Sequence, residues 1–251
     1  MIGIVASIKK ARPASADSPE PAIGQSARVT GTLESDENRY SQSKRMRDLS
    51  KKDRLDFSNH LKSAGEFFEK RDIPAALAEL DRASQIVDMH PEVLNLRGSC
   101  HVETRSFEQA LRDFTDAAKR EPHNPSIQFN IGEVRFVTTQ WSEALEAFKS
   151  LREQLPPDVS DLSALIDFKI MLCHAALGNS DEFERLAEKG QAAIDSPISY
   201  FSNAALDYSR NNHQGAEALL AKAALKFPDP NRLAPWRDTL VEYGWLQIEP
   251  N

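Results

Sequence analysis

The chain has 251 residues, 40% of them apolar and 27% charged, an ordinary balance for a soluble globular protein and enough for one sizeable domain or an array of small repeats. Two cysteines, Cys100 and Cys173, exclude a disulfide framework and any closely spaced metal knuckle or redox pair, and no apolar run approaches the roughly 18 residues of a membrane-spanning helix. The net charge of −7 is uneven: residues 1–55 hold 11 Lys+Arg against 7 Asp+Glu and the remainder 20 against 31, so a basic tail that suits an anionic partner leads into an acidic body.

Residues 1–55 are predicted to be a disordered, basic tail. They open on the apolar "MIGIVASI", which is followed by "KKARP" and not preceded by a basic stretch, so the layout of a signal peptide is missing. Cytoplasmic residence is expected, with an exported or periplasmic protein as the alternative if the start is misassigned and residues 1–16 are a signal remnant. Residues 11–54 carry Pro13, Pro19 and Pro21, eight serines fall between Ser7 and Ser50, and no apolar periodicity is sustained. Such a segment buries too little apolar surface to offset its backbone entropy. At its end "KRMRDLSKKDR" gathers Lys44, Arg45, Arg47, Lys51, Lys52 and Arg54, a cluster suited to an acidic protein surface, nucleic acid or lipid headgroups. Asp48 and Asp53 interrupt it and no aromatic stacking partner accompanies it. That disfavours nucleic acid and suits a solvated lead-in to the first helix.

From Leu55 onward apolar residues fall at helical spacing, almost without strand-like alternation. Residues 56–251 are therefore predicted to be all-α, built from helix-turn-helix copies at about 57–90, 91–124, 125–158, 159–196 and 197–230. The second and third copies align without a gap at a period of 34 residues: Gly98 matches Gly132, Ala110 matches Ala144, Phe114 matches Phe148 and Pro122 matches Pro156. A glycine or alanine lets two helices approach closely, a large side chain fills the space beside it, and the proline ends the second helix. The first copy carries Ala64, Ala76, Leu80 and Ala83 in the same layout, and the last carries Ala204, Ala216, Leu220, Ala223 and Pro228. The fourth, "LIDFKIMLCHAALGNSDEFERLAEKGQAAID", has two helices broken at "LGNSD" but lacks the small residue of the first helix. Residues 231–243 follow, with Leu233, Trp236, Leu240 and Tyr243 on one stripe. They are read as a cap over the last pair, with a partner-binding helix as the alternative.

With these residues the chain resembles the tetratricopeptide-repeat (TPR) family over about residues 56–228. It departs where His101 and Arg135 replace the aromatic expected after Gly98 and Gly132, and where His60, Leu94 and Gln128 replace an opening Trp. The resemblance implies a right-handed α-solenoid of about five TPR-like repeats with a C-terminal capping helix. It also implies a non-catalytic protein-binding module, a scaffold, adaptor or chaperone-like protein.

No phosphate-cradling loop, zinc-protease motif or nucleophile elbow occurs, the six histidines stand singly, and no cofactor, metal or small-molecule substrate is expected. Cys100 and Cys173 are expected to be buried as small apolar residues. One subgroup of the family grips a C-terminal carboxylate with Lys, Asn and Arg on the concave face. The matching positions here, Leu61, Gly65, Asn95, Ser99, Phe129 and Glu133, lack that basic set, and Glu133 would repel a carboxylate. The same face is expected to carry Phe68, Phe129, Phe136, Phe168, Phe201 and Tyr208. These suit a groove for an extended or amphipathic helical segment of another protein, and would equally serve as packing between neighbouring pairs. A self-associating array and an adaptor led by the basic tail are the alternatives.

Overall fold

The computed structural model describes residues 45–155 and 161–247. Residues 1–44, with Lys44 and most of the expected tail, lie outside the described residues, as does Pro156.

The described residues form α-helices and no strand: α1 (Lys51–Glu69), α2 (Ile73–Ile86), α3 (Pro91–Glu103), α4 (Phe107–Ala118), α5 (Pro125–Val137), α6 (Trp141–Gln154), α7 (Asp161–Ala176), α8 (Ser180–Gln191), α9 (Ile198–Ser209), α10 (His213–Lys226) and α11 (Pro230–Tyr243). Local chemistry sets their starts. Asp72, Asn124, Asn212 and Asp229 each accept a backbone amide of the first turn, and prolines stand in the first turn of α2, α3, α5 and α11, where a missing amide costs little. Ser50 corrects the expected tail boundary. Its hydroxyl accepts from the Asp53 amide at 3.0 Å, capping the helix, and donates to the Asp53 carboxylate at 2.8 Å, so residues 51–55 are already helical.

Consecutive helices pack as pairs, and each second helix packs on the first helix of the next pair. The turns within the pairs share one device. Arg71, Arg105, Thr139, Gly178 and Asn211 have φ between 59° and 73°. The residue after each sends its amide back across the turn, as Ser106 does to the His101 carbonyl at 2.8 Å and Gln140 to that of Arg135 at 2.8 Å.

The close crossings are those the 34-residue period predicts. A Cβ added to Gly98 would meet the Phe114 ring at 2.6 Å, and one added to Gly132 would meet the Phe148 ring at 2.6 Å. Ala110, Phe114, Ala144 and Phe148 are fully buried beside them. First helices touch first helices, α1 with α3, α3 with α5 and α7 with α9, so they line the inner face of the array. The apolar interior falls into three clusters: one around α1, α2 and one side of α3, one from α3 to α5, and a larger one from α5 to α11.

The closing helix is present with its expected stripe inward: Leu233, Trp236 and Leu240 are buried and Tyr243 is partly so. The surface it covers differs from the expected one. It lies against α5 and α7, on the inner face of the array, instead of over the outer side of the last pair. The physical reason is the inner face itself, whose rings need cover from water.

Candidate functional site

The inner face of α5, α7 and α9 supplies the rings and α11 fills the space between them. Trp236 lies 5.5 Å from Phe168 and 5.6 Å from Phe201, ring centre to ring centre. Tyr243 lies 6.4 Å from Phe136 and 5.5 Å from Trp141. Beyond the helix, where Gly244 turns the chain with φ 93°, Trp245 stacks on Tyr208 at 5.9 Å. At the other end Arg232 holds Asp161 with two hydrogen bonds of 2.9 and 3.2 Å and lies over the Phe227 ring.

A charged cluster sits among the rings. The Lys169 ammonium is 2.9 Å from the Glu133 carboxylate, 3.2 Å from that of Glu242 and 4.5 Å from the Phe136 ring centre. The three side chains are only 1%, 7% and 6% exposed. Burial alone would lower the Lys169 pKa, but the two carboxylates outweigh it and hold the ammonium charged. Burial pushes Glu133 up to about 7 against the pull of Lys169, and the Glu242 carboxylate adds to the rise. The cluster thus spans three helices, with Glu133 from α5, Lys169 from α7 and Glu242 from α11.

Of the residues expected on the groove, Glu133, Phe136, Phe168, Phe201 and Tyr208 come together around α11. Phe129 does not join them: it is buried against Phe148, 6.2 Å away, within its own pair. Phe68 is partly buried against the first apolar cluster. Asn95 accepts a hydrogen bond of 2.9 Å from the Asn130 side chain, which ties α3 to α5. Over α1 and α3, Leu61, Gly65 and Asn95 are partly exposed and Ser99 is buried, and among the described residues a Cβ added to Gly65 would meet nothing within 4 Å.

In the basic cluster, Arg45, Arg47, Lys51, Lys52 and Arg54 are exposed. Arg54 donates to the carbonyls of Arg47 and Leu49, fastening the chain ahead of α1. His101, in place of the aromatic, stands 3.6 Å from Asp113, which Arg97 holds with two hydrogen bonds.

Lys169, Trp236, Glu242 and Trp245 are not singled out as site residues by the sequence. Lys169 carries a signal, as the one cation inside "LIDFKIMLC". Cys100 and Cys173 are buried, and burial pushes both thiols up to about 12, far from a reactive thiolate. Among the described residues no group of three or more His, Cys, Asp or Glu is placed to share a metal ion, and no helix is long and apolar enough to cross a membrane.

Paired helices at a repeating period, stacked first helix on first helix, define a helical-repeat solenoid. Its fold is that of the tetratricopeptide-repeat proteins. A thermophilic TPR protein of Thermus thermophilus superposes with a TM-score of 0.53 at 21% identity, covering 74% of this chain and 99% of that one. YrrB, a TPR protein described as having an unusual peptide-binding site, gives a TM-score of 0.48 at 19% identity, over 69% of this chain and 87% of its own. No family model matches the chain, and no curated protein does.

Proposed function

We propose that the chain is a non-catalytic protein-interaction module whose inner face receives a helical or extended segment of another protein. The observation that carries this reading is that the face already holds an amphipathic helix, its own α11, through rings, an apolar stripe and two charged contacts, Glu242 to Lys169 and Arg232 to Asp161. The surface thus has the chemistry of a helix receptor. The raised thiol pKa values support the non-catalytic part of the reading.

The partner's way in is the stretch over α1 and α3 where Leu61, Gly65 and Asn95 are partly exposed. Gly65→Arg tests it, because the long side chain enters space and, replacing a helix-interior glycine, should leave the fold intact or raise stability by up to about 1 kcal/mol. Affinity capture with the full chain should recover a protein that the folded Gly65→Arg chain fails to recover. Equal recovery by both would overturn the inner-face reading.

A further inference from the structure

Three observations bear on whether α11 is a fixed part of the solenoid or an occupant of it. The first is connectivity. Each helix from α1 to α10 has its mate within a pair, whereas α11 has none. The helix is linked to α10 by the short stretch Phe227, Pro228 and Asp229. The second is charge. With α11 seated, two carboxylates share one ammonium in a site closed to water, and the α11 residue Asp238 adds negative potential at Glu133. With α11 gone, Lys169 keeps Glu133 at 2.9 Å and the face retains a matched pair. A permanent seal gains nothing from such a cluster, since apolar residues of similar volume serve as well or better. The third is fit. The Tyr208 hydroxyl, on a side chain 4% exposed beside Trp245, has no hydrogen-bond partner among the described residues. Among the described residues the resident helix therefore supplies no hydrogen bond to this buried polar group, and an unsatisfied one is costly.

We infer that the inner face of α5, α7 and α9 is an exchangeable seat, held by α11 in the free chain and by a partner's amphipathic helix in the complex. The fitting helix carries a large apolar residue, an aromatic three positions on and a carboxylate six positions beyond the aromatic. These are the spacings of Leu233, Trp236 and Glu242. A hydrogen-bond acceptor facing Tyr208 would make it a better occupant than α11. This inference rests on the interaction-module reading and specifies its ligand.

The test uses the full chain and a labelled synthetic peptide of residues 229–247 as the probe. Hydrogen exchange should show α11 amides exchanging at least 10-fold faster than the interior amides of α5 and α7, because α11 opens without the pairs. The peptide should bind the full chain and raise α11 exchange to that of an unstructured segment. The same peptide with Glu242→Gln should bind at least 10-fold more weakly. Exchange of α11 at the rate of α5 and α7, or no peptide uptake, overturns the inference. A concentration-dependent dimer without peptide uptake would assign the seat to α11 of a second copy and overturn it too. Any of these results beside a Gly65-dependent capture would leave the interaction-module reading standing.

Discussion

The inner faces of α1 and α3 and of α5, α7 and α9 come from equivalent helix positions and end in opposite conditions. The first keeps Leu61, Gly65 and Asn95 partly exposed, buries only the small Ser99, and among the described residues leaves space beside Gly65. The second presents Phe136, Phe168, Phe201 and Tyr208, buries them, and needs a further helix to do so. The backbone is not what separates them, since Gly98 with Phe114 and Gly132 with Phe148 make the same crossing in adjacent pairs. The difference lies in side-chain area. An aromatic ring covers about 150–250 Å², and at roughly 25 cal/mol per Å² a row of uncovered rings is costly in water.

The contrast breaks most visibly at Lys169. Lys169→Met leaves Glu133 and Glu242 buried without a cation and should cost about 3–5 kcal/mol in urea unfolding, most of it restored by adding Glu133→Gln and Glu242→Gln. A loss below about 1 kcal/mol would mean that water reaches the cluster and the second stretch is as open as the first.

Acidity should also separate the two stretches. Burial lifts the Glu133 carboxyl to about 7 in the folded chain against 4.5 in the unfolded one, so above that range the carboxylate faces Lys169 and below it a growing share carries a proton. Between those values the folded state binds more protons, so raising the pH through this window removes stability, by something on the order of 1–3 kcal/mol. The effect should appear as a difference between the wild type and Glu133→Gln in melting temperature across that range. Identical pH profiles would show that the proton does not reside there.

The smallest effect sharpens the comparison. Gly98→Ala and Gly132→Ala each push a methyl into a phenylalanine ring and should cost about 1–3 kcal/mol. Gly132→Ala should be the worse of the two, because Phe148 is hemmed in by Phe129 and Phe136, with ring centres 6.2 and 6.3 Å away. Denaturant midpoints of the two variants measure it, and a reversed order would show the first stretch to be the more tightly packed.

The pairs are legible in the sequence because their determinants are local and repeated. Glycine facing phenylalanine at a fixed offset, caps at Asp72 and Asn124, and proline in the first turns need only neighbouring sequence. The apolar stripe of α11 is legible for the same reason, but not the surface it covers, because pairing across more than seventy residues, as between Lys169 and Glu242, leaves no periodicity to read. The fourth copy is hard to place for a related reason. Helix α7 is buried almost all round, from Ser163 to His174, since α11 covers the side that would otherwise face water, and a helix without a polar face has no stripe to set its register. The helical start at Lys51 is hidden by the basic run, whose charges obscure the Ser50 cap within it.

The shared turn has a consequence for assembly by splicing. Arg105 and Thr139 stand 34 residues apart with φ of 59° and 60°, each followed by the same back-bonded amide. The stretch from 106 to 139 therefore begins and ends on one backbone conformation and behaves as a unit cell, which joins to a copy of itself without bending the chain at the seam. Lengthening there would add α4 and α5 once more ahead of α6, and the added cell would bring its own Glu133 to the place beside Lys169. The original Glu133 would stand one cell farther from α11, on the open stretch and without the ammonium. Length and buried charge are thus separable in this array: each added cell extends the exposed face and gives it a further carboxylate, while the three-helix cluster is rebuilt unchanged at the end where α11 lies.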